Sequence, residues 1–380
     1  MTRDHTDWRQ VFLIFVIGLL AAGQFGKVSL NFDLLRETYA RPDPELALIV
    51  SGVGVMGIVF GAVAGMGVAR FGARRVLLWA LGVAGALSLM QASLPSFWPL
   101  IGLRVIEGGA HLALVVASPV LVAGAAAPRD RPVAMALWAS FFGVSFAVSA
   151  PIFAAIGSLP AIFATHGLAL WLLWPLAMLW VTRAQPRSRA WPGFWGTHRA
   201  IYSSPHRIAP ALVFFWHTLT FVALLTFLPE QLAGIVPQAV VAGLLPVTAL
   251  VGIFAAGWLA RYIMPLRLCL MSFGVTFAMT VFLPVLPDVA QVVWAALIFV
   301  SVGVVPGAAF ATIPVLNDSP EDQAEANGAM AQLGNIGTTS GTPLYALALG
   351  LGGFGGLTSL TLALCGAGML TVLWIGKRLG

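Results

Sequence analysis

"RAQPRSRAWPGFWGTHRAIYSSPHR", residues 183–207, is the longest break in a chain that is otherwise apolar almost throughout. It holds five arginines, three prolines and no acid. Read as a basic linker, it splits the chain into segments 1–182 and 208–380, and the fold depends on whether these two segments are alike. The surroundings of the linker are those of a membrane protein. Of 380 residues, 59% are hydrophobic and only 9% are charged, against about 25% charged in a soluble domain. Runs of about 20 apolar residues recur with short breaks, as membrane helices require. Barrel strands would instead alternate over segments of about ten residues.

Twelve spans are expected, at 10–32, 46–69, 76–93, 98–126, 133–157, 161–182, 208–229, 238–260, 266–285, 289–315, 324–348 and 355–376. The first is long, contains Lys27 and has no evident cleavage site, so it reads as a retained span rather than a signal peptide. Cys269 and Cys365 both fall inside spans and imply no disulfide framework and no metal site. The net charge of +6 would suit nucleic acid, but its distribution follows membrane topology. With the N-terminus inside, sixteen of the twenty Lys and Arg lie on the cytoplasmic side, Arg36 and Arg41 lie outside, and Lys27 and Arg104 remain within spans. This bias places both termini in the cytoplasm.

Landmarks recur between the two segments. "LP" at 94–95 returns at 286–287, "APRD" at 127–130 aligns with "SPED" at 319–322, and Pro151 aligns with Pro343, all offset by 192. "ARF" at 69–71 matches "ARY" at 260–262, offset by 191. A parallel repeat of six spans follows, giving an all-α fold of two pseudo-symmetric six-helix bundles, 1–182 and 208–380, joined by the cytoplasmic linker 183–207.

The loop "GMGVARFGARRVL", residues 65–77, resembles the signature between spans 2 and 3 of the major facilitator superfamily, through Gly65, Arg70, Gly72 and Arg74. The family's Asp is replaced by Ala69. "RVIEGG", residues 104–109, resembles the family's span-4 motif, and "GTTSGTP", residues 337–343, its Gly- and Pro-rich motif, here in the second half. The resemblance implies a secondary transporter working by alternating access around a central site, in a bacterial-type inner membrane. It also implies that spans 2 and 11 face one another, where Gly57, Gly61, Gly65, Gly337 and Gly341 would let backbones approach.

Span 4 contains "LIGLRVIEGGAHLALVV", residues 100–116. At 100° per residue, Glu107 and His111 lie at about 300° and 340° from Arg104, so the three share one narrow face. Charges within a span are costly and normally face a cavity or a partner. Lys27 on span 1 lies at similar depth and is the expected partner, and the set carries one surplus positive charge. That favours an anionic solute. The alternative is a structural Arg–Glu pair with Lys27 reaching the outer surface.

Further candidates for solute binding are Gln24 and Asn31 beside Lys27, Trp216 and His217 on span 7, and Gln332 and Asn335 on span 11. Glu107, His111 and His217 can carry a coupling proton. Arg70, Arg74 and Arg75 are expected to meet Glu321, Asp322 and Glu325 as a cytoplasmic latch. The expected partners are a small solute, protons and the bilayer, for a monomer without cofactor, metal or nucleic acid. No hydrolase or metalloprotease motif suggests an enzyme. The competing expectations are proton-driven export of hydrophobic cations and a transporter-like receptor.

Overall fold

The computed structural model describes residues 5–41, 43–182 and 193–379. The basic residues Arg3, Arg183, Arg187 and Arg189 therefore lie outside the described residues. Every described element is a helix, the form in which a chain in lipid satisfies its own backbone groups. In order they are α1 Trp8–Ser29, α2 Phe32–Tyr39, α3 Asp43–Phe71, α4 Ala73–Gln91, α5 Phe97–Ala125, α6 Arg131–Ala139, α7 Phe141–Ile156, α8 Leu159–Trp180, α9 Gly193–Tyr202, α10 Pro205–Gln231, α11 Gln238–Leu259, α12 Pro265–Phe282, α13 Asp288–Leu316 and α14 Pro320–Leu379.

Nine of the described helices are long and apolar enough to cross a bilayer, and α6 with α7, bent by 43°, makes a tenth span. The shorter apolar stretch of α11 and the division of α14 at Gly353 make the whole consistent with twelve. Gly353 has φ 55° and ψ −143°, a conformation open essentially to glycine alone. Gly72, with φ 84°, makes the one-residue corner between α3 and α4 that the signature loop demands. Two short helices were not expected. One is α2, between the first two spans. The other is α9, in the linker itself, where Thr197 and Ile201 are buried while Trp195 is 81% exposed.

The chain forms two compact units, and their membership carries the repeat. Unit 1 contains residues 1–128, 141–199 and 319–332; unit 2 contains 129–140, 200–318 and 333–380. Each unit thus includes one short segment from the other half of the sequence, and these exchanged segments end 192 residues apart, at Ser140 and Gln332. Helices α5 and α13 have 29 residues each and begin 191 residues apart.

Packing within each unit relies on small residues, because lipid supplies no hydrophobic drive between helices. In unit 1 a Cβ on Gly108 would strike the Val53 carbonyl, so α3 and α5 touch backbone to backbone. In unit 2 Gly303 meets the Ala249 carbonyl and Gly252 the Val300 carbonyl, joining α11 to α13 in the same way. The glycine expectation needs one correction. Gly61 and Gly65 of α3 do abut the start of α14, at Gln332, Ala324 and Glu325. Gly337 and Gly341 do not face α3: they lie against Thr218 and Leu219 of α10. They sit past the exchanged segment, where α14 has joined unit 2.

Candidate functional site

The polar centre of unit 1 is assembled from four helices. Lys27 comes from α1, Ser88 and Gln91 from α4, Arg104 and Glu107 from α5, and His166 from α8. Their sequence spacing explains the convergence: Ser88 and Gln91 share a face at i, i+3, as do Arg104 and Glu107. Lys27, Arg104, Glu107, Ser88 and Gln91 are all fully buried.

Glu107 is the hub. Its Oε1 accepts from Lys27 Nζ at 2.6 Å, and its Oε2 accepts from Arg104 Nη1 at 2.5 Å and Gln91 Nε2 at 2.7 Å. Lys27 Nζ also donates to Ser88 Oγ at 2.8 Å and lies 5.2 Å from the Phe163 ring centre. Arg104 Nε donates to the Ile49 carbonyl at 2.9 Å, across the close contact that Gly52 and Gly108 allow.

Ser88 Oγ lies 3.1 Å from His166 Nδ1, and His166 Nε2 lies 2.8 Å from the Leu20 carbonyl. A carbonyl only accepts, so Nε2 carries the proton. In the neutral ring Nδ1 is then an acceptor, and the single Ser88 hydroxyl hydrogen is shared between it and the Phe163 carbonyl, 2.9 Å from Ser88 Oγ. Gly23 leaves the slot that this ring fills, since a Cβ there would sit 3.2 Å from it.

The charge does not balance. Lys27 and Arg104 bring two positive charges and Glu107 one negative. Among the described residues Arg104 Nη2, both amide atoms of Gln24 and Gln91 Oε1 have no hydrogen-bond partner. Surplus charge and spare polar atoms in a buried core are expensive unless another group completes them.

The other candidates are distributed differently. His111 is nearly buried, donates from Nδ1 to the Ala21 carbonyl at 3.0 Å and packs edge-on to Phe25. Asn31 donates to the Lys27 carbonyl at 3.2 Å and sits at the start of α2. Gln332 donates to the Ile58 carbonyl at 2.7 Å, tying the first turns of α14 to α3. In unit 2, Trp216 Nε1 donates to Thr371 at 2.9 Å, and His217 is stacked between Phe214 and Phe221. Asn335 is half-buried on α14.

At the basic end, Arg74 donates to the Val181 and Met178 carbonyls at 2.8 and 2.7 Å, closing the C-terminus of α8 rather than meeting the acids of α14. Ser319 Oγ accepts from the Asp322 amide at 3.0 Å, with Glu321 and Asp322 in the first turn where the helix dipole favours them. Glu325 is fully buried. The corresponding end of unit 2 holds a pair that sequence reasoning missed. Arg261 lies 3.6 Å from Asp130, in the "ARY" and "APRD" landmarks themselves.

Ser88, Gln91 and His166 were also missed. The only sequence signals were their placement within spans 3 and 6 and the i, i+3 spacing of the first two.

A family profile described as Major Facilitator Superfamily matches residues 14–342. No curated protein matches the chain. Among solved structures, the human organic anion transporter MFSD10 (TETRAN) superposes with a TM-score of 0.80 at 17% identity, covering 96% of this chain and 99% of that one. The transporter FucP in an outward conformation gives 0.78 at 12% identity, covering 96% and 98%. A variant of the E. coli fucose:proton symporter gives 0.76 at 13%, covering 96% and 98%. At these identities the likeness is one of fold.

Proposed function

The chain belongs to the major facilitator superfamily, and on that premise we propose that it carries a small organic anion across a bacterial-type inner membrane by alternating access, driven by protons. The observation that supports this most is the charge imbalance in unit 1: two buried cations share one carboxylate, and Arg104 Nη2 is left over. A carboxylate or similar group on the solute supplies the missing negative charge. Gln24 adds amide capacity beside it.

Coupling follows from the same hub. A proton on Glu107 removes its charge and raises the surplus from one to two, so a proton and an anion each strengthen the binding of the other. Such linkage is reciprocal and favours moving both together. The rival reading, export of hydrophobic cations, needs an acid free to receive a cation. This cluster instead holds two cations to one carboxylate, which weighs against it. Two structural neighbours are named for an organic anion and for fucose with a proton. The first name supports an anionic solute, the second supports proton coupling, and neither identifies the solute of this chain.

In this proposal the basic ends face the cytoplasm, the two sequence halves are the moving bodies, and the docked segments 129–140 and 319–332 serve as the cytoplasmic gate. Asp130–Arg261 acts at one docking. Arg70 and Arg75, with Glu321, Asp322 and Glu325, act at the other. One exposed pair contributes about 0–1 kcal/mol, so several must act together to bias a two-state equilibrium.

Arg104→Gln tests the reading. The substitution leaves the neutral Lys27–Glu107 pair in the core, so the protein is expected to stay folded and inserted. Uptake of radiolabelled mono- and dicarboxylates into proteoliposomes is expected to fall at least about tenfold, since a lost charged hydrogen bond of about 1.5–3 kcal/mol is at least that large. Wild-type rates in a folded Arg104→Gln protein would reject the assignment.

A further inference from the structure

The helices around the charged cluster, α1, α4, α5 and α8, have repeat partners in α10, α12, α13 and the last part of α14. That second set encloses a polar core in which the described residues carry no charged side chain. Its hydroxyls have already committed their hydrogens: Ser272 donates to the Ser301 carbonyl at 2.6 Å, Thr276 to Ser301 Oγ at 3.0 Å, and Thr220 to the Trp216 carbonyl at 3.0 Å. What remains on these groups is lone pairs.

His217 is the imidazole of this core, 5% exposed. One edge of its ring faces the Val302 backbone, and Nδ1 has no partner among the described residues. A backbone carbonyl on that edge favours the proton on Nε2, which leaves Nδ1 presenting a lone pair. His217, Thr220, Thr276 and Cys365 line one narrow cavity together with apolar Phe273 and Val302. The cavity has about 10 Å³ of room for a water's centre, close to the minimum that holds one molecule.

We propose that this cavity is a binding site for a single water molecule. The water donates one hydrogen to His217 Nδ1 and the other to a spare lone pair of Thr220 or Thr276, while its oxygen accepts from the Cys365 thiol. The site calls for a neutral double donor of this size. Ammonium has the donor pattern, but no carboxylate lines the cavity to offset its charge, and burying an unpaired ion is far costlier than burying water. The water satisfies a histidine that the protein matrix leaves incomplete, and it gives unit 2 a hydrated polar centre where unit 1 has an ion cluster. This inference stands apart from the solute reading and does not need it.

The test is magic-angle-spinning NMR on the full-length protein, labelled with ¹⁵N-histidine, in lipid vesicles with potassium as the only monovalent cation. His217 is assigned by its loss in His217→Gln. The expected result is a His217 Nδ1 resonance displaced from the free-imine position, with a cross-peak to water protons. Cys365→Leu, which fills the cavity, should return the resonance to the free position. A wild-type Nδ1 at the free-imine position without a water contact overturns the proposal, whether or not the Cys365→Leu protein folds. A displacement that appears only when ammonium or sodium is added also overturns it, in favour of an ion.

Discussion

Glu107→Gln is expected to destabilise the protein by about 3–5 kcal/mol, whereas Lys27→Met should leave stability unchanged or raise it. Both substitutions break the same 2.6 Å pair, so a simple count of contacts predicts similar losses. The charge balance predicts a difference. Removing the carboxylate leaves Lys27 and Arg104 buried with nothing negative between them. Removing the lysine leaves Arg104 and Glu107 as a neutral pair on one turn of α5, still supported by Gln91 and the Ile49 carbonyl. The double variant retains a single cation and should fall between the two. Melting followed by size-exclusion chromatography in mild detergent reads the order. If Lys27→Met is as damaging as Glu107→Gln, surplus charge is not what governs this core.

Gly65→Leu is expected to separate α3 from the exchanged segment at the start of α14. A side chain at Gly65 has no room, since even its Cβ would collide with the Ala324 carbonyl and come within 2.8 Å of the Glu325 Cα. Forced overpacking of this kind costs about 1–3 kcal/mol, enough to shift a two-state population by about 5- to 150-fold. Spin-label distances between the end of α3 and the first turn of α14 should lengthen. Gly67 is the control: it lies on the same helix with nothing within 4 Å of its Cβ position, so Gly67→Leu should leave the distances alone. Equal responses at the two sites would remove the docking from the proposed gate.

Most of the fold could be read from the chain because lipid makes each span announce itself. An uncharged run of about 20 residues has few other uses, and expected spans 98–126 and 289–315 became Phe97–Ala125 and Asp288–Leu316. The repeat could be read because loop landmarks and prolines keep their spacing. Helices α2 and α9 could not, since their apolar residues are too few to stand out from a polar loop.

Of the candidate site, helical periodicity placed Arg104 with Glu107, and matching depth brought in Lys27. Periodicity does not say which neighbouring helix a face meets. Ser88, Gln91 and His166 therefore passed unnoticed, although they complete the hydrogen bonding of Lys27 and Glu107. The same limit affected Gly337 and Gly341. Their four-residue spacing marks a close contact, but α10 rather than α3 provides it. Arg74 looked free for an acid because the sequence cannot show that α8 ends beside it.

The central claim is that this transporter moves an organic anion together with protons. Its most direct test is uptake by proteoliposomes under an imposed pH gradient, with organic anions and lipophilic cations presented side by side in sodium-free buffer. The account predicts that at least one anion accumulates when the proton gradient points in the same direction, and that a protonophore abolishes the accumulation. Movement of the cations with no anion transported, or anion accumulation that ignores the proton gradient and follows sodium, would contradict it.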